Sequence, residues 1–159
     1  MNTRRQFIGG VAATATAALA GCSGILGPNN SPDDPIIAYA EAADSGNEDG
    51  IAEVRHSQYP GSGFNQLGEA IAAEVSISVN STAVDTKNPS NSQIRDAIGQ
   101  RWSDEEMDQI LSAAENANNT AIVSAEIEAS GSAGGATLSQ TFNVTNLVAT
   151  EDGEYKILG

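Results

Sequence analysis

The sequence predicts an α+β domain in which N-terminal helices pack on a curved antiparallel sheet, preceded by an address segment and a flexible tether. Three observations carry this expectation. A proline-started helical pair occupies 35–54, alternating apolar and polar residues mark strands at 74–79, 120–129 and 138–149, and an Asp-Gly turn feeds a last short strand.

Asp34 is expected to cap the first helix, with Pro35 at its first position. Ile36, Ile37, Ala40 and Ala43 then approximate one apolar stripe that ends near Gly46. A second short helix follows Asn47, with Glu48 and Asp49 favourable in its first turn and Ile51 and Val54 facing inward. Pro60, Gly61 and Gly63 mark a loop, and 65–73 holds one or two helical turns. In "EVSISV" Val75, Ile77 and Val79 share one face of a half-exposed strand.

After "DTKNPSNS" a helical region begins, with Ile94, Ala97 and Ile98 inward. It restarts at Ser103, which forms a capping box with Glu106, and Met107, Ile110, Leu111 and Ala114 supply the buried face. Thr120 to Ala129 alternates again, and "SGSAGGA" at 130–136 reads as a flexible hairpin connection. Leu138 to Ala149 is a long strand in which Leu138, Phe142, Val144 and Val148 share a face, with Gln140 and Asn146 on the same parity. Glu151-Asp152-Gly153 turns the chain into "EYKIL", with Tyr155 and Ile157 on one side.

The domain so ordered resembles the NTF2-like (cystatin-like cone) superfamily. The residues that carry the resemblance are "PIIAYAEAADSGNEDGIAEV" at 35–54, similar to that family's paired helices, and "TNLVATEDGEYKILG" at 145–159, similar to its recurrent ending. The helical insertion at 90–117 departs from the shortest members. The resemblance implies a curved sheet around helices, with a pocket at the open end in some members.

Charge narrows the partners. After Cys22 the chain carries five basic residues against 21 acids, which repels nucleic acid and anionic surfaces. The acids are spread along the chain, lysine is scarce and small residues abound, a composition that resembles haloarchaeal proteins. Molar salt screens such repulsion, because the Debye length falls to about 3 Å at 1 M. One cysteine excludes an internal disulfide, and with one histidine it excludes Cys/His zinc sites of the usual kind.

The first residues explain that cysteine. Thr3-Arg4-Arg5-Gln6-Phe7-Ile8 resembles the twin-arginine export signal, with Arg4 and Arg5 as the recognition element and Phe7 as the hydrophobic residue after them. Phe7 to Gly21 is uncharged but spans only 15 residues, short of the roughly 20 apolar residues a membrane helix needs. Leu19-Ala20-Gly21-Cys22 resembles a lipobox, which implies lipid on the Cys22 thiol. Two lipid chains there would anchor the protein stably. The expected organisation is therefore a twin-arginine lipoprotein signal peptide at 1–21, a tether with lipidated Cys22 at 22–34 and an NTF2-like α+β domain at 35–159. The expected place is the extracytoplasmic face of the cell membrane, and the twin-arginine translocase is the partner during export.

Within the domain, His56 is read two ways, as a general base near Tyr59 or as a helix-terminal histidine without a catalytic task. Tyr39, His56, Gln140 and Asn146 are the candidate pocket residues. Trp102 reads as core or as a staple against the helix start. The acids in "SDEEMD" are explained by the helix dipole, since they lack the ligand spacing of a calcium loop, so no metal is expected. No phosphate loop or nucleophile motif occurs, so no catalytic residue and no cofactor is assigned. Asn80, Asn118 and Asn143 head N-glycosylation sequons. The function expected is a membrane-anchored lipoprotein that binds a small ligand or another surface protein; the alternative is a small NTF2-like enzyme of isomerase or hydrolase type.

Overall fold

The computed structural model describes residues 31–61, 75–133 and 136–159. The leader, with Arg4, Arg5, Phe7, Leu19, Ala20, Gly21 and Cys22, and the expected helical turns at 65–73 lie outside the described residues. Helices α1 (Asp34–Asp44) and α2 (Glu48–Glu53) precede β1 (Val75–Lys87). Helix α3 (Asn91–Ile98), a 3-10 turn at Gly99–Arg101 and α4 (Asp104–Asn116) cross to β2 (Thr120–Ala133), β3 (Ala136–Glu151) and β4 (Glu154–Ile157). The four strands form one open antiparallel sheet in the order β1-β2-β3-β4. The domain is thus α+β, with the N-terminal helices on an antiparallel sheet.

Two clusters of buried side chains lie on opposite faces of that sheet. Ala121, Val123 and Val148 meet Ile36, Tyr39 and Ala43 of α1, together with Ile77 and Ile157. Their immediate neighbours Ile122, Leu147 and Ala149 meet Ile94, Ile98, Ile110 and Leu111 of α3 and α4, together with Leu158. Successive strand residues point to opposite faces, so α1 and the crossover helices sandwich the base of the sheet. Strand segments covered on both sides lose the polar alternation of a half-exposed strand, and Ala121-Ile122-Val123 and Leu147-Val148-Ala149 are accordingly apolar throughout.

Several boundaries differ from the expectation, each for a local reason. The cap of α1 is Asp33 instead of Asp34, and its side chain makes no capping bond. It accepts the Thr82 hydroxyl at 2.8 Å, pinning the helix start to β1. Strand β1 runs on to Lys87 because register irregularities between Val79 and Ser81, and between Val84 and Thr86, interrupt the alternation without ending the pairing. Strands β2 and β3 pair as far as Ala133 and Ala136, so Ser130 to Ala133 and Ala136, read as part of a loose connection, belong to the ladder. Residues 139–143 of this hairpin are exposed, Phe142 at 40%.

Other signals were legible. Asn47 caps α2 by accepting the Gly50 amide at 3.1 Å. Ser103 and Glu106 form the expected capping box, and Ser90 with Gln93 forms a second one. Asp152 and Gly153 both adopt positive φ, 54° and 90°, as the tight turn between β3 and β4 requires. At the outer edge of β1, Asp44 accepts the Ile77 amide at 2.8 Å and the Ser76 hydroxyl at 2.9 Å.

Candidate functional site

The residues following α2 run beside β4. The Ile157 amide donates to the Val54 carbonyl at 2.8 Å, the His56 amide donates to the Ile157 carbonyl at 2.9 Å, and Arg55 bridges Ile157 in parallel. This short addition covers the β4 edge and fixes Arg55, His56 and Tyr59 against the sheet.

His56 lines an open groove of about 900 Å³ between α4 and the β3–β4 turn, together with Gln58, Asp108, Asn116, Thr150 and Glu151. Its side chain is only 9% exposed. The Gln58 amide donates to His56 Nδ1 at 3.1 Å, which requires that nitrogen to be an acceptor and places the proton of the neutral ring on Nε2. Burial lowers the His56 pKa; Glu151, 3.8 Å from Nδ1, opposes that shift, and Lys156 adds to it. For Glu151 burial acts upward, but the Ser57 hydrogen bond, Lys156 and His56 together hold its carboxyl below the usual range. The Ser57 amide reaches both carboxylate oxygens at 3.2 Å, and Lys156 Nζ lies 3.2 Å from Oε2. With His56 neutral near pH 7, the Ser57 and Lys156 contacts carry the effect on Glu151.

A second cluster gathers around Tyr59, between residues of the α1 cluster and Trp102 of the crossover. The Arg55 guanidinium carbon stands 5.1 Å from the Tyr59 ring centroid and 5.9 Å from that of Tyr39. Trp102 meets Tyr59 edge-on, with centroids 5.6 Å apart and planes at 87°. Arg101 donates from Nη2 to the Thr145 carbonyl, on a stretch of β3 that β4 does not reach. Burial pushes the Tyr59 phenol up to about 12, with the Arg55 and Arg101 charges both opposing the rise. Burial raises Tyr39 as well, against the Arg55 charge and hydrogen bond. Arg101 is exposed as a whole residue, yet its head is screened enough that burial lowers its pKa and Tyr59 opposes; it stays charged, because a guanidinium starts above about 12.

Arg55 Nε, Trp102 Nε1 and Asn146 Oδ1 are buried without a hydrogen-bond partner. Each such group costs about 1–3 kcal/mol if left unsatisfied, and native proteins contain few of them. Among the described residues neither Arg55 nor Arg101 forms an ion pair, whereas Arg95 meets Asp108 and Lys156 meets Glu151.

The four candidate pocket residues therefore separate. Tyr39 and Asn146 are buried on the α1 face, His56 faces the groove, and Gln140 is exposed on the β2–β3 hairpin. Trp102 is partly buried against the α3–α4 cluster, as a staple would be. Asn80, Asn118 and Asn143 are all exposed. Asn80 donates to Glu126 at 3.2 Å, and Asn143 stands opposite Glu126 in the β2–β3 register, lining a smaller pocket of about 360 Å³ with Arg101. Sequence reading did not single out Arg55, Arg101, Glu151 or Lys156 as site residues. The available signal was that an acidic chain with five basic residues after Cys22 places an arginine next to its one histidine.

Among the described residues no set of three or more His, Cys, Asp or Glu is arranged to hold a metal, and no helix is long and apolar enough to cross a membrane. No family model and no curated protein matches the chain. Among solved structures, the crystal structure of the intermembrane space region of chloroplast protein ARC6 aligns at 10% identity with a TM-score of 0.44, covering 80% of this chain and 89% of that one.

Proposed function

We propose that this chain is a twin-arginine-exported lipoprotein, held at the extracytoplasmic face of the cell membrane by lipid on Cys22, whose NTF2-like domain binds a small ligand or another surface protein without catalysing a reaction. The ordered series Arg4-Arg5, a weak apolar run and Leu19-Ala20-Gly21-Cys22 supports the address. The paired helices before an antiparallel sheet ending in an Asp-Gly turn support the family reading.

One observation favours binding over catalysis. The two titratable groups best placed for proton transfer, His56 and Glu151, are already engaged by the Gln58 and Ser57 amides and by Lys156. A general base needs its lone pair free toward the substrate. The groove they line is open and suits an extended or surface-bound partner.

The address is tested by fractionating cells that express the full chain and its Cys22→Ser variant with labelled lipid precursor. Lipid label on the parent alone, with the variant released from the membrane or held as precursor, is the expected result. Equal labelling of the two would sink the proposal.

A further inference from the structure

We infer that two copies of this chain pair through β3, whose outer edge from Ser139 to Thr145 continues the sheet into that of the second copy. Three observations carry this. First, β3 is much longer than its neighbour on that side. It spans Ala136–Glu151, whereas β4 pairs only with Val148 to Glu151. The last residues of the chain reach Leu147, whose amide donates to the Gly159 carbonyl at 2.6 Å. The β2–β3 register is unbroken from Ala149 to Ala136, and in a regular antiparallel strand the backbone groups of successive residues point to alternate sides. Leu147 bonds on the β4 side, and so does Thr145, through the Arg101 guanidinium. Ser139, Thr141 and Asn143 therefore direct their amides and carbonyls to that side as well, where no described strand meets them.

Second, this edge lacks the guards that the other borders carry. At β1, Asp44 occupies the Ile77 amide and two register irregularities interrupt the strand. Along β4, residues 54–57 run beside the edge. Exposed edges are commonly blunted by charged side chains, prolines or bulges. On β3 there is no bulge against β2, and neither a charged residue nor a proline lies between Glu128 and Glu151, in a chain whose net charge is −14.

Third, Ser139, Gln140, Thr141, Phe142 and Asn143 are all exposed, and Phe142 and Val84 are the two exposed large apolar side chains among the described residues. Antiparallel pairing of this stretch with itself sets Phe142 opposite its own copy. Thr141 then stands opposite Asn143 of the second copy, and each such pair exchanges two backbone hydrogen bonds on either side of the two-fold axis. A second copy suits the edge because an uncharged stretch meets itself without repulsion. The bodies of the two copies are acidic and repel, which salt screens. The pairing does not depend on the lipid anchor.

The full chain carrying Cys22→Ser, which has no lipid to draw in detergent, is measured by sedimentation equilibrium in about 1 M sodium chloride, where the Debye length is about 3 Å. A concentration-dependent dimer is expected. Phe142→Lys sets two like charges face to face, and Thr141→Pro removes an outward amide from each copy while sparing the β2 ladder. Each should raise the dissociation constant about tenfold or more. Val84→Lys, on the guarded β1 border, should leave it unchanged. If Thr141→Pro does not fold by circular dichroism, Phe142→Lys decides. A parent that stays monomeric at every concentration, or a dimer unchanged in Phe142→Lys, would overturn the assignment. So would slow exchange of the Thr141 and Asn143 amides in the monomer, which would mean that a segment of the same chain already pairs there.

Discussion

On one face of the sheet Ile94, Ile98, Ile110, Leu147 and Leu158 interlock as aliphatic side chains, closed by helices whose ends carry two capping boxes. On the other, Tyr39 and Val148 share their cluster with the half-buried Tyr59, and Arg55 and Asn146 bring polar groups beside it. The difference teaches where stability and recognition reside. Aliphatic side chains gain from every buried methylene, with Trp102 Nε1 the one unpartnered polar atom beside that cluster among the described residues, while a polar interior gives up some of that gain to keep hydrogen-bonding atoms in place.

The largest expected effect breaks the aliphatic side. Leu147 is 0% exposed and packs among α3 and α4 residues, so Leu147→Ala should destabilise the fold by about 2–5 kcal/mol through lost burial and a residual cavity. Chemical denaturation measures this, and a loss below about 1 kcal/mol would mean that the two faces are not packed differently.

A smaller effect of opposite character is expected on the polar side. Asn146 is 1% exposed with an unpartnered Oδ1, so Asn146→Val should be neutral or stabilising by up to about 1 kcal/mol, because no bonded acceptor is lost. The same denaturation series checks it, and a loss above about 2 kcal/mol would place that amide in a satisfied network.

The smallest effect concerns pH. The folded His56 pKa lies below its ordinary value of 6.5, so between the two values the unfolded chain binds more protons and stability falls as pH drops through that window. Glu151, also lowered, contributes stability that is present above 4.5 and is lost as pH falls further. Unfolding midpoints measured from pH 8 down to about pH 2 should therefore decline in two steps, the upper one through the His56 window and the lower one below 4.5. His56→Gln should flatten the upper step alone, and an unchanged upper step would assign it to another group.

Much of the fold was legible in the residues. Asn47, Ser103 with Glu106, and Asp152-Gly153 mark element ends by chemistry that acts within four residues, and the alternation of Val75, Ile77 and Val79 placed one face of β1. The extent of β1 was hidden because Asn80 and Asp85, where the register shifts, break the period of two without breaking the ladder. The site was harder to see. Arg55 and Trp102 are 47 positions apart in the chain and become neighbours of Tyr59 only when residues 54–57 lie along β4 and the crossover helices close over the opposite face. Local patterns carry no record of such long-range meetings, and Asn146 was visible only as a polar residue at an inward position.

The clasp of Asp44 on Ile77 and Ser76 has a consequence for how neighbouring copies meet. An outer strand invites another chain to extend its ladder, and it needs free amides in sequence to do so. At Ile77 that amide is already bonded by the end of α1, and two register breaks farther along interrupt the remainder. The opposite border is covered at β4 by residues 54–57. Crowding these domains side by side on any surface thus leaves residues 139–145 of β3 as the place where ladders can join, and elsewhere the sheet ends where its own chain ends it.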